Sequence, residues 1–336
     1  MAALVRIVRV LFTLAAAFGS LLAVLAFLGI ASPYLDVFNH LQLLLFGGTL
    51  LALLLTPLLL PEGRARAFLL AAVATGFVAS SAAVIPEALG SLAPRPPVPT
   101  DGRPVLKVMT HNLFGLNYDM VRVASVIAAE APDIVALQEF FPEQSSELDP
   151  LLRPGYPFSV HCSGGKRANI ALYSKLPFER SVDGACSNTN DAGERTAHIV
   201  ARFTLPDGRQ VSVVTTHIDW PVPVERQQAE LAALTQTMAG VPGPALLVGD
   251  FNSTPWSYTL RRFAAATSLE RETRSLLTYP LIFHYFGDWR PTLPFLPLDQ
   301  VFSKGALAVH EVRAGAQTGS DHLPVVVTFS VGTSGA

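Results

Sequence analysis

The chain has 336 residues, 50% of them apolar and 15% charged, with a formal net charge of −2. Globular domains carry about 25% charged residues, and the deficit lies at the front. Of 24 basic and 26 acidic residues, five Arg and three acids (Asp36, Glu62, Glu87) fall in 1–99, leaving 19 and 23, a net of −4, for 100–336. These figures exclude a wholly soluble enzyme, a disordered chain and a strongly basic nucleic-acid module.

Three uncharged apolar runs, 10–30, 41–60 and 67–85, are each long enough to cross a bilayer as a helix. A cleaved signal peptide explains the first run alone, with Arg6 and Arg9 ahead of Ala15-Ala16-Ala17, but not the two that follow. Residues 1–85 are therefore expected to form a three-helix transmembrane anchor, integral to the membrane. Arg6, Arg9, Arg64 and Arg66 flank these runs on one side, and residues 31–40 hold no Lys or Arg. The positive-inside rule then puts the N-terminus in the cytoplasm and everything beyond Ile85 outside it. The localisation read from this is a multi-pass protein of the cytoplasmic (inner) membrane with an extracytoplasmic, periplasmic domain.

Residues 86–104 contain six prolines and read as a semi-rigid linker. Residues 105–330 are long enough for one well-buried domain, and 331–336 form a tail. Cys162 and Cys186 lie in this outer domain, where disulfides persist. A bond between them is expected, with two buried thiols as the alternative, because pairing cannot be deduced from spacing.

In chain order, the outer domain offers strand candidates at 105–109, 134–137, 170–173, 211–215, 245–248 and 325–329. Helical spacing covers 118–130 and 224–238, the second with Leu231 and Leu234 on one face. Runs apolar on both faces suggest strands buried in a layered α/β structure. Polar residues gather at the strand ends: Thr110-His111-Asn112, Gln138-Glu139, Thr216-His217, Gly249-Asp250-Phe251-Asn252, Asp299-Gln300 and Ser320-Asp321-His322. Strand ends bring distant residues to one sheet edge, where loops carry reactive groups on a rigid support. Carboxylates and amide oxygens are hard ligands suited to Mg²⁺, and histidines beside them can bind phosphate oxygens or move protons. Each residue alone has a plainer reading: Asp250 and Asn252 as turn formers, Glu139 as a surface acid, His217 or His322 as a packed histidine. The joint pattern favours metal-assisted hydrolysis of a phosphate ester.

Asn112, then QE, TH, GDFN, LDQVF at 298–302 and SDHLP at 320–324, in this order, resemble the endonuclease/exonuclease/phosphatase superfamily. The superfamily includes deoxyribonuclease-I-like nucleases, abasic-site endonucleases, neutral sphingomyelinases and inositol polyphosphate phosphatases, and this chain is similar to a membrane-anchored bacterial-type member. The resemblance implies an α+β fold: a four-layered α/β sandwich of two packed β-sheets flanked by helices, here preceded by three transmembrane helices. It implies Mg²⁺ as cofactor, with Mn²⁺ as the second candidate. Glu139 would be the main metal ligand with Asn112 nearby and Asp321 helping. Asp250 would orient or deprotonate the attacking water and Asn252 would hold a phosphate oxygen. His322, oriented by Asp299, and His217 would contact phosphate or assist the leaving group.

Two positions depart from the pattern. His111 stands where many relatives carry Trp, and Gln300 where His or Tyr commonly follows the Asp; both are expected to affect substrate contacts. Asp219 reads as an orienter of His217 or as a turn residue, and Arg195 as a phosphate contact or a surface charge. The expected partner is a phosphate-ester substrate, nucleic acid or lipid headgroup, and no protein partner is expected. The negative outer domain speaks against non-specific DNA binding, whereas a stripe of Arg261, Arg262, Arg271, Arg274 and Arg290 keeps nucleic acid open. An aromatic-rich stretch, 279–302, reads either as a bilayer-touching loop or as ordinary packing. The alternative function is a catalytically silent binding or scaffold module of the same fold. A role residing in the spans themselves has little support, because they hold almost no ionisable groups.

Overall fold

The computed structural model describes residues 1–162, 169–180, 197–285 and 288–332. It divides into two compact units, Met1–Ala93 with Thr254–Arg261, and Pro94–Ser253 with Arg262–Ala336.

The first unit is built on α1 (Ala2–Phe27), the short α2 (Pro33–Asp36), α3 (Gln42–Leu59) and α4 (Arg64–Gly90). Three segments, Ala2–Ile30, Pro33–Leu59 and Arg64–Gly90, are long and apolar enough to cross a membrane, with mean hydropathies of 2.4, 2.0 and 2.1. Small residues let the helices approach: a Cβ on Gly76 would lie 2.8 Å from Ser20 Cα. The hydroxyls of Ser20, Thr49 and Thr56 donate back to the carbonyls of Ala16, Leu45 and Ala52 at 2.7, 2.6 and 2.6 Å, which satisfies them without water. Helix α4 continues through Pro86 to Gly90, so the stretch read as linker begins helically. Near a helix C-terminus a proline forfeits a single intrahelical bond.

The second unit holds the strands β1 (Val105–Asn112), β2 (Ile134–Gln138), β3 (Phe158–Cys162), β4 (Ile170–Ser174), β5 (Phe178–Arg180), β6 (Ala197–Thr204) and β7 (Gln210–His217). They are followed by β8 (Ala245–Asp250), β9 (Glu270–Arg271), β10 (Ile282–Tyr285), β11 (Asp288–Pro291), β12 (Asp299–Lys304), β13 (Leu307–Ala314) and β14 (Val325–Val331). Two six-stranded sheets form, in the orders β13-β14-β1-β2-β4-β3 and β5-β6-β7-β8-β12-β9, and β10-β11 is a separate hairpin. Each sheet has one parallel pair at its heart, β1 with β2 and β7 with β8, and is otherwise antiparallel.

Period-two alternation explains the layers. Val108, Ile134, Ala136 and Leu172 of the first sheet meet Ile199, Phe203, Val213, Leu246 and Val301 of the second in one core. Met109, Val135, Leu137 and Tyr173 point the other way and pack against α5 (Met120–Glu130) and α6 (Pro142–Leu152) through Met120, Val123, Ile127 and Leu148. On the far side lies α7 (Val224–Gly240), burying Leu231 and Leu234, and α8 (Tyr258–Ala266), whose Phe263 meets Phe302 at 5.9 Å. This is the expected α/β sandwich of two packed sheets flanked by helices.

The parallel strands overrun their apolar cores. β1, β7 and β8 extend to Asn112, His217 and Asp250, so residues read as following the strands terminate them instead. Their backbones stay paired across the sheet while their side chains turn into the site. Cys162 is disulfide-bonded; its expected partner Cys186 lies outside the described residues, as does Arg195.

Candidate active site

Topology brings the motifs together. Parallel pairing aligns Asn112 with Gln138 and His217 with Asp250 at the C-terminal ends of both strand pairs. β12 runs antiparallel to β8, so its first residue, Asp299, pairs with the last of β8, Asp250. β14 enters opposite Thr110 at Val325, which delivers Asp321 and His322 to the same edge. Two cross-links lock it: Ser320 Oγ donates to the Asn112 carbonyl at 2.7 Å, and Gln138 Nε2 donates to Thr215 Oγ1 at 3.0 Å.

All eight expected site residues lie in this second unit, and their side chains interlock. Asn112 Nδ2 donates to Asp250 Oδ2 at 2.9 Å and approaches Glu139 Oε1 at 3.4 Å. Glu139 Oε2 accepts from the Gly115 backbone at 2.8 Å, and Asp250 Oδ1 from the Asn252 backbone at 2.8 Å. His217 Nε2 stands 3.6 Å from Asp250 Oδ2, 3.9 Å from Glu139 Oε1 and 3.5 Å from Asn252 Nδ2. His322 Nδ1 bonds Asp299 Oδ2 at 2.8 Å, while its Nε2 lies 3.8 Å from Asp250 Oδ2 and 4.0 Å from Asp321 Oδ1. Glu139 and Asn252 have φ of 53° and 45°, a conformation non-glycine residues seldom adopt and one that clusters at functional sites.

A cavity of about 320 Å³ opens here. Asn112, Glu139, Asp250, Asn252, Asp321 and His322 form its polar floor; Phe114, Trp220, Tyr279, Ile282, Phe283 and Trp289 form its walls. Burial pushes the Asp250 carboxyl up to about 7, with the nearby Asp299 adding to the shift and His322 opposing it. Burial likewise lifts Asp321 to about 6. Burial alone would lower His322, but the carboxylates of Asp299 and Asp250 outweigh it and hold the ring up to about 10. Carboxylates raised by burial and mutual repulsion are a setting a divalent cation relieves.

The donor chemistry fits such a cation. Carboxylates, which are hard oxygen donors, line the cavity from Glu139, Asp250 and Asp321, while Asn112 turns its Nδ2 toward them and its Oδ1 accepts from the Phe114 backbone at 2.9 Å; Asp299 Oδ1 is buried with no hydrogen-bond partner among the described residues. Among the described His, Cys, Asp and Glu residues, the trio with donor atoms within 4.8 Å of one another is Asp250, Asp299 and His322, not a trio containing Glu139 or Asp321. In that trio Asp299 and His322 are engaged with each other at 2.8 Å, the geometry of an oriented histidine. Glu139, its side chain 23% exposed, lines the cavity.

The two departures from the family pattern are buried and are not among the described residues that line the cavity. His111 is fully buried, its Nε2 2.7 Å from Thr318 Oγ1, and burial lowers it to about 3. Gln300 is buried too, donating to the Ser253 and Pro297 carbonyls at 3.1 and 2.7 Å. Asp219 Oδ1 accepts from the Trp220 backbone at 2.9 Å. Sequence reasoning passed over Tyr279, whose ring lies 4.7 Å from that of His322; its place in an aromatic-rich stretch was the available signal.

Residues 109–322 match the model of the endonuclease/exonuclease/phosphatase family. The chain belongs to that family. Among curated proteins it is similar to "UPF0294 protein" of Klebsiella pneumoniae (strain 342), 34% identical over 137 residues, 40% of this chain and 47% of that protein. The match thus spans about half the length of that relative. Among solved structures, the endonuclease/exonuclease/phosphatase from Beutenbergia cavernae aligns with a TM-score of 0.53 at 24% identity, covering 68% of this chain and 72% of that one. The family member from Bacteroides vulgatus aligns with a TM-score of 0.55 at 21% identity, covering 68% and 100%. These structural likenesses establish the fold. The family hydrolyses phosphoesters, and its members are generally divalent-metal dependent.

Proposed function

We propose that this chain is a membrane-tethered, Mg²⁺-dependent phosphodiester hydrolase whose catalytic unit works outside the cytoplasmic membrane. The observation that carries the reading is the convergence of Asn112, Glu139, Asp250, Asp321 and His322 on one cavity floor. The arginines at 6, 9, 64 and 66 support the orientation.

Glu139, Asn112 and Asp321 would hold the metal, which supplies Lewis-acid stabilisation of the anionic transition state, with Mn²⁺ as the second candidate. Asp250, fixed through both oxygens, orients a water and takes its proton as the new P–O bond forms. One N–H of Asn252 Nδ2 donates to the Ile218 carbonyl at 2.9 Å, and the other would hold a non-bridging phosphate oxygen. As the P–O bond to the leaving group breaks, that oxygen needs a proton or a hydrogen bond. His322, kept cationic by Asp299, supplies it, and His217 steadies the phosphate from the opposite side.

Within this reading the cavity favours a lipid phosphodiester over nucleic acid. Among the described residues, none that lines the cavity is Lys or Arg, whereas strands of nucleic acid are held mainly by such cations. The walls are apolar instead, and among them Phe283 and Trp289 are 50% and 51% exposed and Trp220 is 38% exposed. The half exposure of Phe283 and Trp289 supports the bilayer-touching reading of the aromatic stretch over ordinary packing. Exposed Trp and Phe suit a membrane–water boundary, and the chain carries three helices suited to a bilayer.

The test is turnover by the full-length chain in proteoliposomes, on phosphodiester lipids in the same bilayer, on plasmid DNA and on soluble bis-p-nitrophenyl phosphate. Lipid turnover with little DNA cleavage is expected. In a Phe283→Ser/Trp289→Ser double variant, the ratio of lipid to bis-p-nitrophenyl phosphate turnover should fall about tenfold, since binding far from the reacting atoms is what is lost. An unchanged ratio, or DNA as the preferred substrate, contradicts the lipid reading.

A further inference from the structure

Within the second unit, residues 278–281 are bonded to the segment that carries His322 on both sides of that histidine. The Leu323 backbone donates to the Thr278 carbonyl at 2.8 Å, and the Leu281 backbone donates to the Asp321 carbonyl at 2.8 Å. The same stretch is tied to Leu296. Tyr279 N donates to the Leu296 carbonyl at 3.0 Å, and the Tyr279 carbonyl accepts from Leu296 N at 2.7 Å. The backbone of Tyr279 is thus fixed from several directions.

Its side chain lies against His322, with ring centroids 4.7 Å apart and planes inclined by 41°. A cation this close to an aromatic ring is attracted by the ring quadrupole. The ring of Trp220 meets Tyr279 edge-on at 5.8 Å and 63°. Both aromatic residues line the cavity. Burial, together with the charges of Asp321, Asp250 and Glu139, pushes the Tyr279 hydroxyl up to about 12, so the ring stays neutral.

His322 has little else to hold the tilt of its imidazole. Its backbone donates to Ser320 Oγ at 3.0 Å, and its Nδ1 bonds Asp299 Oδ2 at 2.8 Å. Nε2 stands 3.8 Å from Asp250 Oδ2 and 4.0 Å from Asp321 Oδ1, beyond hydrogen-bond range of both. One bond at Nδ1 anchors that atom but lets the ring rock about it, swinging Nε2 between the two carboxylates. A ring packed against the imidazole restrains that rocking, as packing locks a rotamer in a preorganised site.

We infer that Tyr279 is a positioning residue for hydrolysis: its ring packs on the imidazole of His322 and holds Nε2 where it serves the leaving oxygen. The inference rests on the proposed hydrolase activity. In that reaction the P–O bond to the leaving group breaks, the proton on Nε2 passes to the departing oxygen, and the ring is left neutral with its Nδ1 proton on the Asp299 bond. Small misplacements of reacting groups are costly in rate.

The test follows turnover of two soluble phosphodiesters by the full-length chain in detergent micelles with saturating Mg²⁺. Bis-p-nitrophenyl phosphate releases a nitrophenolate that departs with little protonation. Diphenyl phosphate releases phenolate, whose conjugate acid has a pKa of about 10, as in a tyrosine side chain, and which needs the proton. Tyr279→Leu removes the aromatic ring. Its kcat should fall at least about tenfold on diphenyl phosphate and only about threefold on bis-p-nitrophenyl phosphate, with KM within about twofold on both. Tyr279→Phe restores the ring and should bring diphenyl phosphate turnover back to within about threefold of wild type. In a His322→Ala background, Tyr279→Leu should cost less than about twofold more, because residues that act as a unit are not additive.

Equal losses on the two esters mark a general structural or binding role and overturn the inference, as does wild-type diphenyl phosphate turnover by Tyr279→Leu. Tyr279→Phe as impaired as Tyr279→Leu overturns it too, because the hydroxyl and not the ring would then act. So does a wild-type chain that cleaves only the nitrophenyl ester, since no proton would then reach the leaving oxygen. Melting temperature and folded fraction are read on every preparation, and Tyr279→Met takes the place of a Tyr279→Leu variant that does not fold. Loss of fold in both overturns the inference, as the side chain would then be needed for folding. A wild-type chain inert toward both esters and toward lipid overturns the hydrolase reading itself, which separates the two failures.

Discussion

Replacing Asp250 by Asn is expected to lower kcat by about a thousandfold while leaving the fold intact. General-base assistance contributes about 10²–10⁴ in rate, so a thousandfold loss corresponds to about 4 kcal/mol of transition-state stabilisation. Both oxygens of Asp250 accept, from Asn112 Nδ2 at 2.9 Å and from the Asn252 backbone at 2.8 Å. An amide can satisfy one of these donors but turns its own N–H₂ toward the other, and it cannot take a proton from water. Stability should move the other way. Burial pushes the carboxyl of Asp250 up to about 7, so above its unfolded value the ionised form is held at a cost in the metal-free protein. In EDTA the variant should therefore melt no lower than wild type. Thermal melts and initial rates on the same preparation check both expectations, and full activity in Asp250→Asn is incompatible with the assigned role.

Gly249→Ala is expected to abolish activity by a different route. Gly249 has a φ of 146°, and a Cβ built there would lie 2.0 Å from the Thr216 carbonyl oxygen. That oxygen belongs to β7, paired in parallel with β8 at this position. Backbone cannot rotate away as a side chain would, so β7 and β8 must separate. His217 and Asp250, the next residues on each strand, are displaced with them. Combined steric and backbone strain of this kind falls in the severe class, about 3–5 kcal/mol, lowering the melting temperature by about 6–20 °C for a domain of this size. Circular dichroism melts and turnover read the two effects. A variant with wild-type melting and turnover contradicts the close approach of β7 and β8.

The sequence exposed the site more fully than its surroundings, for a physical reason. Polar residues at the ends of apolar runs stand out from any single stretch, and Asn112, Glu139, His217, Asp250, Asp299 and His322 all proved to meet. The strand termini were less legible, because β1, β7 and β8 keep pairing through residues whose side chains are polar. Composition gives no warning when burial is set by a neighbouring strand. His111 and Gln300 illustrate the limit: departures from a family pattern looked like substrate contacts, yet the three-dimensional partners are Thr318 and the Ser253 and Pro297 carbonyls. Asp36 shows the same limit on a larger scale. Its neighbours in the chain give no hint of Ser257, Tyr258 and Thr259, which only folding brings to it.

Whether the carboxylates of this cavity hold a catalytic divalent cation is settled most directly by titrating Mg²⁺ into the EDTA-stripped full-length chain. Heat of binding and bis-p-nitrophenyl phosphate turnover are followed at each addition, for wild type and for Glu139→Gln. Saturable binding that restores turnover in parallel is expected for wild type, with affinity at least about tenfold weaker in Glu139→Gln, in the range reported by loss of a ligand's support. Turnover that persists undiminished in EDTA, or Glu139→Gln binding and hydrolysing like wild type, would contradict it.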